Sequence, residues 1–167
     1  MASSAFYVTR SPLSANERSF RQAEEAIDAG RIDEASSHYR DILRRDPSNK
    51  FAFFNLGMLA QLGNRGAEAR DFYSRALRSD ANFLPALFNL AILEEANGNN
   101  RAAEGLYRRV IREHPDHAAS RYNLGLLLIR EGRIEEGQAE IDRAVEMDPG
   151  LSGSTGTQTQ PATPEPT

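Results

Sequence analysis

The chain contains no cysteine. Disulfides, thiolate nucleophiles, zinc–thiolate centres and a lipidated cysteine are therefore all excluded. No apolar run approaches the ~18 residues that a membrane-spanning helix needs. Residues 1–10 lack the basic stretch and apolar core of a secretory signal, so the cytoplasm is the expected compartment, with a periplasmic or anchored form left open. Lysine is almost missing: of 20 basic residues only Lys50 is a lysine, a bias that reads as a GC-rich, bacterial genome rather than as chemistry. The net charge of −4 gives no general attraction to nucleic acid.

Catalytic signatures are missing as well. The chain has no strand pattern, no glycine-rich loop between a strand and a helix, and no nucleophile beside a base. Glu94-Glu95 and Glu135-Glu136 are adjacent pairs, and adjacent residues on a helix point in different directions. They do not make an acid–base couple. His114, Pro115, Asp116 and His117 span a turn with no further ligand nearby, and His38 is far off in sequence. A surface turn is the better reading than a metal site. No enzyme activity, metal or cofactor is expected.

What the chain does have is a spacing. Pro47, Pro115 and Pro149 fall on a grid of 34 residues whose remaining node is Ala81. The same step links Ala35, Ala69, Ala103 and Gly137; Tyr39, Tyr73, Tyr107 and Ile141; and Ile42, Ala76, Val110 and Ala144. Small, aromatic and apolar positions recurring at this period mark a helix–turn–helix unit that stacks into a solenoid. Ser14 and Glu17 form a capping box, so the first helix starts near Ala15 and stops near Gly30. The remaining helices are expected over residues 32–45, 51–63, 65–79, 84–96, 101–113, 118–131 and 134–147. Gly30, Asn64, Gly98 and Gly132 occupy the turn inside each pair, and Asn is the non-glycine residue that best accepts a left-handed backbone. Residues 1–13 are expected to be flexible. The stretch 150–167, rich in Thr, Pro and Gly, is expected to be disordered, because it cannot bury enough apolar surface to offset ordering entropy.

These units resemble the tetratricopeptide repeat (TPR) family. The best match is Arg121-Tyr122-Asn123-Leu124-Gly125 with Gly132, Ala144 and Asp148-Pro149. Phe54-Asn55-Leu56-Gly57 and Phe88-Asn89-Leu90-Ala91 repeat its opening. The resemblance covers a domain over 14–149 with repeats at about 16–49, 50–83, 84–117 and 118–149. It implies an all-α, right-handed α-solenoid of four repeats that binds proteins without catalysis. The first repeat departs from the pattern, with Arg21 and Gln22 where the others carry Asn and Leu.

The resemblance also implies a concave groove lined by the first helix of each pair. By phase the second repeat supplies Phe51, Phe54, Asn55, Met58 and Leu62. The third supplies Phe88, Asn89, Ile92 and Glu95, and the fourth Tyr122, Asn123, Leu126 and Arg130. The first supplies Glu17, Phe20, Arg21, Glu24 and Asp28. Asn55, Asn89 and Asn123 would form a ladder of amides, each able to donate and accept, suited to the backbone of an extended peptide. The alternative is that these amides and Phe54, Phe88 and Tyr122 serve internal packing. Glu17, Phe51, Pro85 and Ala119 stand where a family variant that clamps a terminal carboxylate has lysines, which disfavours such a ligand. A neutral, partly apolar segment of another protein is the preferred partner.

Two further surfaces remain. Ile134, Ile141 and Val145 would leave apolar surface on the last helix, since nothing from Gly150 onward can form a covering helix. A homo-oligomer joined through terminal helices is therefore the alternative function, with residues 5–8 (Ala5, Phe6, Tyr7, Val8) as a segment that a neighbour could take up. Arg75, Arg109 and Arg143, with Arg44, Arg78 and Arg112, lie in phase on the second helices. They are read as a solvated face rather than a nucleic-acid surface. The small residues let paired helices approach closely, so Ala69→Leu is expected to overpack its site and to cost about 1–3 kcal/mol, measured by urea denaturation.

Overall fold

The computed structural model describes residues 13–153. Among them are eight α-helices, one closing 3-10 turn and no strand. The helices are α1 (Ala15–Asp28), α2 (Ile32–Arg45), α3 (Lys50–Leu62), α4 (Gly66–Ser79), α5 (Leu84–Ala96), α6 (Asn100–Glu113), α7 (Ala118–Arg130) and α8 (Ile134–Met147). Each begins and ends within two residues of the range read from the sequence. The chain divides into two compact units, Met1–Pro47 and Ser48–Thr167. The first holds α1 and α2, and the second holds the other six helices. Residues 1–12, which include the segment 5–8, and residues 154–167 lie outside the described residues.

Helix ends follow from local chemistry. Ser14 Oγ accepts from the Glu17 backbone N–H at 3.2 Å, and the Glu17 carboxylate accepts from the Ser14 N–H at 2.6 Å. These bonds hold the Glu17 carboxyl below the usual carboxylate range. Asn49 caps α3 by accepting from the Ala52 N–H at 2.9 Å. The turns inside the pairs are one structure used four times. Gly30, Asn64, Gly98 and Gly132 have φ of 72°, 57°, 75° and 83°. In each turn the following N–H reaches back to a carbonyl five residues earlier, as from Asn99 to Glu94 at 2.8 Å and from Arg133 to Leu128 at 2.9 Å. This is the Schellman arrangement, which satisfies carbonyls that a helix end leaves open.

In the first unit, α1 and α2 pack through Ala23, Ala26, Ala35 and Ile42, all 0% exposed. Phe20 meets the Tyr39 ring edge-on with centroids 5.8 Å apart. Arg45 ties the end of α2 to the start of α1 by donating to Asn16 Oδ1 at 2.9 Å and Ser19 Oγ at 2.6 Å.

In the second unit each helix packs on the next along the chain. Tyr73 and Tyr107 lie mainly across their own pair. A Cβ built on Gly57 would lie 2.5 Å from the Tyr73 ring, so glycine there makes room for the tyrosine. Tyr107 also joins the fourth repeat, packing in one cluster with Leu124, Leu127 and Leu128. Burial pushes the Tyr73 and Tyr107 hydroxyls well above their ordinary range, and burial followed by the Glu24 charge pushes Tyr39 to about 12. All three stay neutral at neutral pH, and Tyr73 and Tyr107 donate to Gln61 and Glu95. Helix α5 is buried on every side, with nine successive residues, Ala86 to Glu94, enclosed. A helix apolar all round belongs inside a fold, and α5 is the middle one of the three first helices in this unit.

The last pair is closed differently. Arg121 stands by phase where Phe53 and Leu87 fill the core. It donates to Glu140 Oε2 at 3.1 Å, placing an ion pair between α7 and α8 at a position that is apolar in the two preceding repeats. The boundary expected after Pro149 is corrected: Pro149–Gly153 forms a 3-10 turn against α8, and Leu151 is only 6% exposed. One leucine thus supplies part of the cover that no helix provides. Ile134 remains 54% exposed, whereas Ile141 and Val145 are half-buried.

The tightest helix approach is between α7 and α8. A Cβ on Gly137 would lie 2.5 Å from the Gly125 carbonyl oxygen, and one on Gly125 would lie 2.6 Å from the Gly137 carbonyl oxygen. The obstacle is backbone, which cannot swing aside. Gly137→Ala should separate the pair and cost about 1–3 kcal/mol, read from the urea midpoint. Gly105→Ala, where a Cβ meets nothing within 4 Å, should be neutral or stabilising because it raises helix propensity.

Candidate functional site

Helices α3, α5 and α7 share a face because rings and polar bonds join each to the next. Phe83, which precedes α5, lies edge-on to Phe51 and Phe54 of α3, with centroids 5.4 and 5.7 Å away. His117, one period later, lies edge-on to Phe88 of α5 at 4.9 Å. At the other end, Arg130 of α7 donates to Glu95 of α5. Glu95 also accepts from the Tyr107 hydroxyl at 2.7 Å, and the Asn123 amide bonds the same hydroxyl. Gln61 receives the Tyr73 hydroxyl at 2.8 Å in the equivalent place of the preceding repeat.

The residues read from the sequence are distributed unevenly over this face. Along α3, Phe51, Asn55, Met58 and Leu62 fall on one stripe. Phe51 is 40% and Leu62 70% exposed, and the two between are half-buried. Along α5 the matching stripe is closed, with Asn89 at 2% and Ile92 at 9% exposure. Phe54 and Phe88, at 0% and 5%, are core residues. On α7, Tyr122, Asn123 and Leu126 are half-buried and Arg130 is exposed. Arg21 lies in the other unit, exposed on α1 and 3.7 Å from Glu25.

The three asparagines are not used alike. Asn55 and Asn89 each donate to a carbonyl one turn back on their own helix, Phe51 and Pro85, both at 2.9 Å. Asn123 bonds Tyr107 instead. Each amide therefore has an internal partner, and Asn89 offers almost no surface.

Glu94, dismissed from the sequence as half of an acid–base couple, is a buried carboxylate. It is 7% exposed, receives Arg70 from the preceding repeat and accepts from Asn99 Nδ2 at 2.7 Å. A second network joins α6 to α8: Arg108 and Arg133 each bond both Glu104 and Glu136. Hydrogen bonds from Arg108 and Arg133 lower the Glu136 carboxyl, and those same partners outweigh the upward push of burial on Glu104. The in-phase arginines of the second helices are largely engaged in the same way. Arg75 meets Asp71 at 2.8 Å and Arg143 meets Glu140 at 2.8 Å, while Arg109 donates to the Ala81 carbonyl at 2.6 Å. Among the described residues no cluster of His, Asp or Glu could hold a metal ion. Among them, too, no helix is long and apolar enough to cross a membrane.

The tetratricopeptide repeat family model matches residues 20–82 and 88–152, and the chain belongs to that family. No curated protein sequence matches it. Its fold is similar to that of MamA, with a TM-score of 0.73 at 18% identity over 83% of this chain and 81% of that one. It is similar also to a tetratricopeptide repeat protein from Parabacteroides merdae, with a TM-score of 0.75 at 23% identity, covering 84% of this chain and 55% of that one. A third similar structure is YrrB, described as a TPR protein with an unusual peptide-binding site. Its TM-score is 0.68 at 21% identity, over 81% of this chain and 70% of that one.

Glu95 is a polar link between the third and fourth repeats on this face. Glu95→Ala would free Arg130 and take an acceptor from the buried Tyr107 hydroxyl. The expected loss is about 1–3 kcal/mol, checked by thermal and urea melting against the isosteric Glu95→Gln.

Proposed function

We propose that the protein is a non-catalytic scaffold that holds an extended segment of another protein along the face built by α3, α5 and α7. The observation that carries this reading is the open stripe on α3. Phe51 and Leu62 are large apolar residues at 40% and 70% exposure, aligned with the half-buried Asn55 and Met58. Phe51 and Leu62 are eleven positions apart, roughly 16 Å along a helix at 1.5 Å per residue, enough to meet several residues of an extended chain. Tyr122, Asn123, Leu126 and Arg130 would continue the contact on α7, with α5 as a closed floor. The amide ladder enters in reduced form: Asn55 and Asn123 would meet a peptide backbone, and Asn89 would support the floor. The family's common role in protein binding supports the same reading, and YrrB, of similar fold, is described as having a peptide-binding site. Affinity is expected to be modest, since ordering the bound segment offsets part of the interaction.

The test compares partner capture by the wild type and by Phe51→Ser/Leu62→Ser. Both positions are exposed, so the fold should survive. The captured segment, remade as a peptide, should bind the double variant at least about tenfold more weakly, equivalent to about 1.4 kcal/mol. Equal affinity would remove the α3 stripe from the interface.

A second reading is a structural adaptor that self-associates through its terminal helices. Ile134 and Met147, 54% and 41% exposed on α8, favour it. Light scattering over a concentration series separates the two, because only self-association gives a mass that grows with concentration and falls with Ile134→Glu.

A further inference from the structure

The geometry points to the joint between α6 and α7 as a pH-sensitive element, in which a proton on His117 releases the start of α7. This rests on packing at the joint and is independent of what the α3–α5–α7 face binds. His117 is the N-cap of α7, and its Nδ1 lies 3.2 Å from the Ser120 backbone nitrogen and 2.9 Å from Ser120 Oγ. A backbone N–H can only donate. Nδ1 must therefore carry a lone pair, which puts the ring proton on Nε2. Ser120 is 0% exposed, so its polar groups have no water to turn to. The imidazole is half-buried and lies against the Phe88 ring.

A proton on Nδ1 disturbs this in three ways. The Ser120 hydroxyl can rotate and accept from the new N–H, but the Ser120 backbone N–H cannot. It would be left with the His117 carbonyl alone, 3.2 Å away and already part of the same turn. The charge would also sit at a helix N-terminus, where the helix dipole opposes a cation. It would finally lie against an aromatic core residue, away from full hydration.

The neighbouring charges do not cancel these effects. Burial, then His114, holds the His117 imidazole below its ordinary range, and Asp116 only partly opposes them. From α7, Arg121 is directed to Glu140 and to the Pro115 carbonyl. The carboxylates of α5 are engaged elsewhere, Glu94 by Arg70 and Asn99 and Glu95 by Tyr107 and Arg130. On the α6 side, Glu113 bonds Arg112 and Asn82, and Arg109 bonds the Ala81 carbonyl.

The preceding joint is the internal control. Phe83 occupies the same phase, is 7% exposed, packs on Phe54 as His117 packs on Phe88, and carries no proton. The two joints share this ring-on-ring packing, and only the later one has a side chain that both caps the helix and can titrate. The sign follows from linkage. Unfolded, the imidazole titrates near about 6.5, and folded it titrates lower. The unfolded chain therefore takes up the proton first as the pH falls. The contribution of His117 is complete above the unfolded value and is lost as the pH falls through the folded value.

The experiment uses the full chain. Imidazole signals of the wild type are followed by NMR from pH 8 to pH 4, with His38→Gln and His114→Gln for assignment, and the protection factor of the Ser120 amide is measured across the same range. Urea midpoints are compared between pH 8 and pH 5 for the wild type, for His117→Asn, which keeps a capping oxygen, and for His117→Phe, which copies the preceding joint. His117 should titrate below the free imidazole. Ser120 protection should fall in step with it, and the acid-side loss of midpoint should be smaller in both His117 variants. A His117 titration at or above the free value, Ser120 protection that does not change as it titrates, or an equal acid-side loss in the variants would each overturn the proposal. Should the variants fail to fold, the wild-type titration and protection data decide alone.

Discussion

A helix of 13 or 14 residues is marginal on its own in water, and here each one depends on a neighbour packed closely against it. The closeness is set by what sits opposite the bulky residue of the second helix. In the pair α3–α4 a glycine makes room for the ring of Tyr73. In α5–α6 an alanine, Ala91, takes that place beneath Tyr107. In α7–α8 both ring and spacer are gone, and two glycines bring backbone nearly against backbone beside Ile141. The tyrosine hydroxyl follows the same logic. In these two pairs it finds an acceptor on the first helix, at Gln61 and Glu95. In the fourth repeat, position 129 is an isoleucine as well as position 141, so donor and acceptor have disappeared together.

What was legible in the sequence was whatever a short stretch decides for itself. Capping by Ser14, the left-handed turns at Gly30, Asn64, Gly98 and Gly132, the helix stops before the Asp-Pro steps and the small residues at 35, 69, 103 and 137 are fixed within a few residues of chain. The repeat period then carried that local reading across four copies. The partners of the tyrosines were less legible, because a period tells which residues are equivalent and not whether they face inward or toward the next copy.

The candidate face was harder still. Phase alone made Asn55, Asn89 and Asn123 interchangeable, yet their exposure differs because α5 has a neighbour on each side within its unit and α3 and α7 lie at its margins. Phe51 and Leu62 kept their surface for that reason, while Ile92 lost its own. The burial of Glu94 was not legible because a carboxylate in a charged stretch looks solvated until Arg70 and Asn99 are seen to enclose it. Leu151 escaped notice because one leucine in a Thr- and Pro-rich tail does not register as a pattern. The turn at 114–117 reads from the sequence as a surface turn rather than a metal site, and the sequence does not show that His117 Nδ1 caps α7.

The enclosure of α5 also bears on how the second unit would come apart under load. A helix held on every side can leave only after its neighbours do, whereas α3 and α8 each have a margin with nothing beyond it inside the unit. Pulled from its two ends, the unit would shed pairs from the outside inward and extend in steps about the size of one repeat. The middle helix would be the last to let go. A chain built this way yields in stages, and tension alone could change the number of docked repeats while the central contacts persist.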